Sequence, residues 1–158
     1  MLTLAITFHP ALIQQIYLDK SLDKQVRFLA IILLKNGIDR YWRRTSKHAI
    51  TPENKQLIRA RLFQGSIDEE DKALCLHNAL VTAKIVRIEY PDDWPDALPM
   101  LIRQTEMANF RSPVQLRGAL TLMLRIVKEL ATARLRKSQT ALQAVTPELV
   151  QFLGKLYT

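Results

Sequence analysis

Few residues of this chain are spaced to do chemistry. The three histidines, His9, His48 and His77, lie far apart and lack metal-ligand spacing. His77 falls in an apolar helical run and reads as a packed or boundary residue. The single cysteine, Cys75, sits in Ala73-Leu74-Cys75-Leu76. A lone cysteine cannot close an internal disulfide, which favours the cytosol or nucleus over a secreted setting, and Cys75 reads as a small core residue. There is no Gly-rich phosphate loop and no Cys-His arrangement. The clusters Asp68-Glu69-Glu70-Asp71 and Asp92-Asp93 fall where helices should begin, and the helix dipole favours carboxylates there without any catalytic role. The sequence therefore predicts no enzyme, no metal and no cofactor.

The basic residues carry more information. Lys35, Arg40, Arg43, Arg44, Lys47, Lys55, Arg59 and Arg61 crowd one stretch, opposed within it only by Asp39 and Glu53. Arg125, Lys128, Arg134, Arg136 and Lys137 form a second group. Two readings stay open: solvated helix faces, or a docking surface for an acidic partner. The net charge of +8 and the pI near 9.9 suit nucleic acid, anionic lipid or an acidic protein surface. Aromatic interleaving is too sparse for a single-strand stacking platform, and no helix-turn-helix with a recognition helix is visible. Nonspecific binding of nucleic acid, or of an acidic protein, stands as the alternative function. Tyr41-Trp42 and Trp94 read as packing anchors.

The elements that must position these residues are helices. Apolar residues make up 48% of the chain and Gly only 4 of 158 residues, against a turn-rich β architecture. The opening stretch Met1 to Phe8 is too short for a membrane span and lacks a secretory layout, and charges break every longer apolar run, so the chain reads as soluble with no membrane partner.

Proline punctuates the chain. Thr51-Pro52, Ser112-Pro113 and Thr146-Pro147 each read as a capping hydroxyl followed by Pro at the first helical position. Ser112 to Gln115 and Ser66 to Glu69 both fit a capping box. His9-Pro10 and Trp94-Pro95 are weaker starts of the same kind. The predicted helices run over 10–18, 23–42, 52–63, 69–90, 95–108, 113–137 and from 147 to the end, with Gly65 as a left-handed cap of the third. The fourth and sixth segments are apolar over about half their circumference, so each must pack on two sides. Long helices alternate with short ones in pairs of about 40 residues, the period of HEAT-like repeats. A plain helical bundle fits the periodicity as well.

The run Val26-Arg27-Phe28-Leu29-Ala30-Ile31-Ile32-Leu33-Leu34-Lys35-Asn36 resembles the core of the importin-β amino-terminal domain: a Val-Arg pair, an apolar helix, then Leu-Lys-Asn. Residues Pro10 to Asp19 resemble the short helix before it. Ala83 to Pro95, ending in Asp92-Asp93-Trp94-Pro95, resembles the third repeat, and Gly37-Ile38-Asp39-Arg40-Tyr41-Trp42-Arg43-Arg44 is most similar to the importin-eleven-like branch.

The resemblance implies an all-α, right-handed superhelical solenoid of HEAT-type pairs, about four repeats in this length. Residues 1–158 would form a single array, with 10–45 the family's amino-terminal motif region and 46–158 the following repeats. It implies binding of Ran-GTP by the early inner helices, placed at 10–18, 52–64, 95–108 and 147–158. Gln14, Lys55, Arg59 and Arg61 become the Ran-contact candidates. Arg27, Leu34, Lys35, Asn36, Trp42, Trp94 and Pro95 match family motifs and read as structural. Cargo protein and nucleoporins would engage the full receptor, in the nucleus, the cytoplasm and at the nuclear envelope and pore. Two features depart from the family. Its first outer helix has no clear counterpart in Met1 to His9, and the chain holds far fewer repeats than a full receptor. These features predict a fragment or truncated product with marginal solubility or self-association.

Overall fold

The structure is a computed structural model and describes residues 9–109, 112–133 and 136–156. The readings placed on Met1 to Phe8 and on Arg134 lie outside the described residues. The helices are α1 (Pro10–Leu18), α2 (Lys24–Tyr41), α3 (Pro52–Leu62), α4 (Gln64–Ile67), α5 (Lys72–Glu89), α6 (Ala97–Asn109), α7 (Pro113–Thr132) and α8 (Arg136–Leu156). No strand occurs among the described residues.

Local chemistry sets the helix starts. Asp23 accepts from the Gln25 amide at 2.7 Å, Thr51 from Asn54 at 3.3 Å, Asp71 from Leu74 at 2.9 Å and Ser112 from Gln115 at 3.1 Å. Each cap satisfies a backbone donor that the helix itself cannot, worth about 1 kcal/mol. Pro10, Pro52 and Pro113 stand at helix starts, where a missing N–H costs nothing.

The long helices α2, α5 and α7 lie side by side in one layer. The shorter elements cover them: α1 on α2, α4 on α5 and α7, α6 on α7, with α3 reaching α1 and α5. Helix α8 closes against α7 and α6. This is a stack of helix pairs of the HEAT type. Its central member, α5, buries Leu74, Ala79, Val81, Ala83, Ile85 and Val86, which accounts for the breadth of its apolar pattern. Full burial of each larger aliphatic side chain is worth about 1.5–3 kcal/mol. Its buried Asn78 and Thr82 both donate within the fold, while Asn78 Oδ1 has no partner among the described residues. Asn78 donates to Leu62 O at 2.7 Å and to Ser66 Oγ at 2.9 Å, and Thr82 donates to Asn78 O at 2.8 Å. Cys75 is buried, as a small core residue should be, and desolvation pushes its thiol pKa up.

Five expectations about the helices need correction. Gly65 is not a left-handed cap; it lies inside α4, and no described glycine has positive φ. Ser66 is likewise inside α4, so no capping box forms there and Asp71 caps α5 instead. Helix α7 stops at Thr132, and α6 starts at Ala97, two residues past Trp94-Pro95. Pro147 does not begin a helix but lies within α8, and the Thr146 hydroxyl donates back to Leu142 O at 2.8 Å. The buried stripe Val145, Leu149 and Phe152 runs through the proline, and its packing outweighs the lost backbone bond.

Candidate functional site

Two polar clusters tie the layers together. The first lies where α1, α2 and the α4–α5 connection meet. Arg27 donates from Nε to Tyr17 O at 2.8 Å, and its guanidinium pairs with Glu69. Both side chains are buried, so each charge depends on the other. The Tyr17 hydroxyl lies 2.7 Å from Gly65 O and 3.1 Å from Leu74 O. Desolvation, then the Glu69 charge, pushes its pKa well above the usual phenol value.

The second cluster is built on Glu89, the last residue of α5, only 3% exposed. Its Oε1 accepts from Trp42 Nε1 at 3.0 Å and from the Arg59 guanidinium at 2.8 Å, while Arg59 Nε lies 2.6 Å from Oε2. Trp42 ends α2, Arg59 belongs to α3, and so one carboxylate joins three helices. Lys55 sits one turn before Arg59, its ammonium 5.3 Å from the Trp42 ring centroid. Arg44 pairs with Asp93 at 2.9 Å across the mouth. Arg44, Lys55, Arg59, Glu89 and Asp93 line a 470 Å³ cleft that opens at the start of α3.

The sequence candidates separate on this geometry. Gln14 is fully buried, and its amide donates to Ile58 O at 3.0 Å; it holds α1 to α3, so no partner can reach it as the contact reading required. Lys55 and Arg59 come together at the cleft, whereas Arg61 stands half-buried away from it. Of the motif residues, Arg27, Leu34, Trp42 and Trp94 are buried, and Trp94 stacks on Phe63 at 5.5 Å. Lys35 is half-buried, while Asn36 and Pro95 are exposed and anchor nothing.

Sequence reasoning missed Glu89 and read Asp93 only as a helix-start carboxylate; both answer the basic stretch from beyond it. A glutamate at the end of an otherwise apolar stripe was the available signal for Glu89. The basic groups also form no unbroken stripe. Among the described residues, Arg44, Arg59, Lys84, Arg87 and Lys137 pair with carboxylates, Lys84 with Asp39 and Lys137 with Asp92. His77 is half-buried with its ring edge-on to Phe28, and burial lowers its pKa. Among the described residues no group of His, Cys, Asp and Glu could hold a metal ion, and no helix is long and apolar enough to cross a membrane.

The comparisons with known proteins agree with this architecture. The model of the importin-beta N-terminal domain family matches residues 6–68. The chain is 37% identical over 148 residues to the importin beta-like protein KAP120 of Saccharomyces cerevisiae, covering 92% of this chain and 14% of that protein. It is 37% identical over 140 residues to importin beta-like protein kap113 of Schizosaccharomyces pombe, covering 87% and 14%. Human importin-11 is 31% identical over 142 residues, covering 90% and 14%. The chain thus spans about one seventh of these relatives' length. The solved structure of Lph2, described as a bidirectional nuclear transport receptor in S. cerevisiae, superposes with a TM-score of 0.91 at 36% identity, over 99% of this chain and 16% of that one. The chain belongs to the importin-β family of nuclear transport receptors, whose amino-terminal domain it carries, near the importin-11-like branch.

Proposed function

We propose that this chain is the Ran-binding end of a nuclear transport receptor, recognising the GTP form of the GTPase and performing no catalysis itself. The observation that carries the reading is the 0.91 superposition along almost the whole chain with a nuclear transport receptor. The amino-terminal repeats are where the family resemblance places Ran. The short helices α1, α3 and α6 each expose one large apolar residue, Leu12, Leu57 and Met107, at 54%, 47% and 49%. Exposed apolar side chains of this size suit a protein interface. With Gln14 inside, Arg61 and the cleft residues Lys55 and Arg59 remain the polar contact candidates. Cargo and nucleoporins would meet other parts of a longer receptor, working between nucleus and cytoplasm. Any switch lies in the differential affinity for the two nucleotide states.

The test is a titration of the chain with Ran, loaded with a nonhydrolysable GTP analogue or with GDP, by interferometry at physiological salt. Binding to the GTP form alone is expected, weakened by Leu57→Asp. Equal binding to both forms, or to neither, overturns the reading.

A further inference from the structure

The cleft at the start of α3 holds one cation more than its own carboxylates use. Arg59 is engaged by Glu89, and Arg44 by Asp93. Lys55 is left over. It is 8% exposed, and its ammonium makes no hydrogen bond or ion pair with any described residue; its close contact is the Trp42 ring. The ammonium reaches solvent at the cleft but has no protein acceptor there, and the ring face stabilises it only in part. Desolvation accordingly lowers the Lys55 pKa, with Arg59 and Arg44 lowering it further against the opposing pull of Glu89. The first turn of α3 adds the positive end of its dipole, beginning at Pro52 beside the same cleft.

We propose that this cleft is an anion-binding site that seats a single carboxylate, the Asp or Glu side chain of a protein partner, on Lys55. Charge decides the class. Three cations against two carboxylates leave one positive charge, which matches a monoanion. A phosphate dianion would face Glu89 and Asp93 with only one uncommitted cation. Arg44 stands at the rim with its side chain 80% exposed, placed to meet a carboxylate arriving on another chain. Filling the site gives Lys55 the charge-assisted bond that it lacks. The site needs no GTPase, so it can fail while the Ran reading stands, and the reverse.

The experiment is an NMR titration of the whole chain with a blocked tripeptide carrying a central glutamate, against its glutamine isostere and inorganic phosphate at matched ionic strength. Saturable shifts of the Thr51, Glu53, Asn54 and Lys55 amides and the Lys55 side chain are expected with the glutamate peptide and not with the isostere. Lys55→Met keeps the aliphatic stem over Trp42 and is expected to weaken binding about tenfold or more. Arg44→Gln, on the exposed rim, leaves the core intact and provides an independent variant, weakened roughly two- to threefold. Equal shifts with the two peptides, tighter binding of phosphate, or unchanged affinity in both variants overturns the proposal.

Discussion

At the scale of single residues, the buried carboxylates do the most. Glu89 serves the Trp42 indole and the Arg59 guanidinium at once. Glu89→Ala leaves both donors unmatched, and removing one partner of a buried pair costs about 3–5 kcal/mol. Arg59 keeps a 23% exposed side chain and can turn partly to water, so about 3 kcal/mol is expected. Trp42→Phe removes one neutral donor and shrinks a fully buried ring, so it should cost about 2 kcal/mol, still less than the Glu89 variant. Urea unfolding of both variants checks the order, and a larger loss from Trp42→Phe would contradict it. Asp71 acts through pH instead. Its hydrogen-bonded pairing with Lys24, then the Leu74 amide, holds its carboxyl below the ordinary carboxylate value. A folded-state pKa below the unfolded value of about 3.9 gives stability that is present above that value and lost as pH falls through the folded one. Asp71→Asn should therefore flatten the acid side of a melting-temperature profile while leaving the cap at the start of α5 in place. An unchanged acid slope would assign the acid sensitivity elsewhere.

At the scale of elements, the close approach of α4 to its neighbours is the sharpest constraint. A methyl at Gly118 of α7 would stand 2.2 Å from Ser66 O, which belongs to the backbone of α4. A methyl at Gly65 would stand 2.7 Å from Asn78 Oδ1, on an amide already fixed by Leu62 and Ser66. Gly154 of α8 has nothing within 4 Å. Gly118→Ala should thus cost about 3 kcal/mol or more, and Gly65→Ala about 1–3. Gly154→Ala should gain about 0.5–1, the ordinary helix-interior difference. Thermal melts of the three variants must separate in sign, and a stable Gly118→Ala would mean that α4 is not seated on α7. The same elements show what the sequence could reveal. Thr51 and Ser112 were legible because a cap is a local event between residues three apart. Gly65 was misread because its need for a bare Cα comes from Asn78, a contact that no local pattern announces. Pro147 was misread for a related reason: the stripe from Val145 to Phe152 is held by neighbouring helices, and tertiary packing overrode the local signal. Glu89 and Asp93 escaped the reading of the basic stretch because their partners lie on other elements.

At the scale of the molecule, the stack leaves apolar surface at both ends of its layer of long helices. Leu22 just before α2 and Val26, Leu29 and Leu33 on it recur at four, three and four and are 38% to 59% exposed. At the other end, Leu120, Met123, Leu124, Val127, Leu149 and Leu153 line a 480 Å³ groove between α7 and α8 with little polar surface. Each repeat of a solenoid contacts only its neighbours, and a terminal repeat stays soluble by presenting a polar outer face. Among the described residues neither end does so. The +8 charge resists association at low salt, and screening removes that resistance as ionic strength rises, since the Debye length falls from about 30 Å at 0.01 M to about 8 Å at physiological salt. Concentration-dependent self-association is therefore expected at physiological salt and should weaken in dilute buffer, the opposite of the trend for contacts made through ion pairs. Val150 and Leu153 are 63% and 40% exposed, so Val150→Glu with Leu153→Glu puts charge on the groove at little cost to the core. Light scattering across protein concentration and salt decides the matter. A monomer that persists at high concentration in physiological salt would mean that the end faces are covered from within the chain, and association unaffected by the double variant would move the contact to the α2 face.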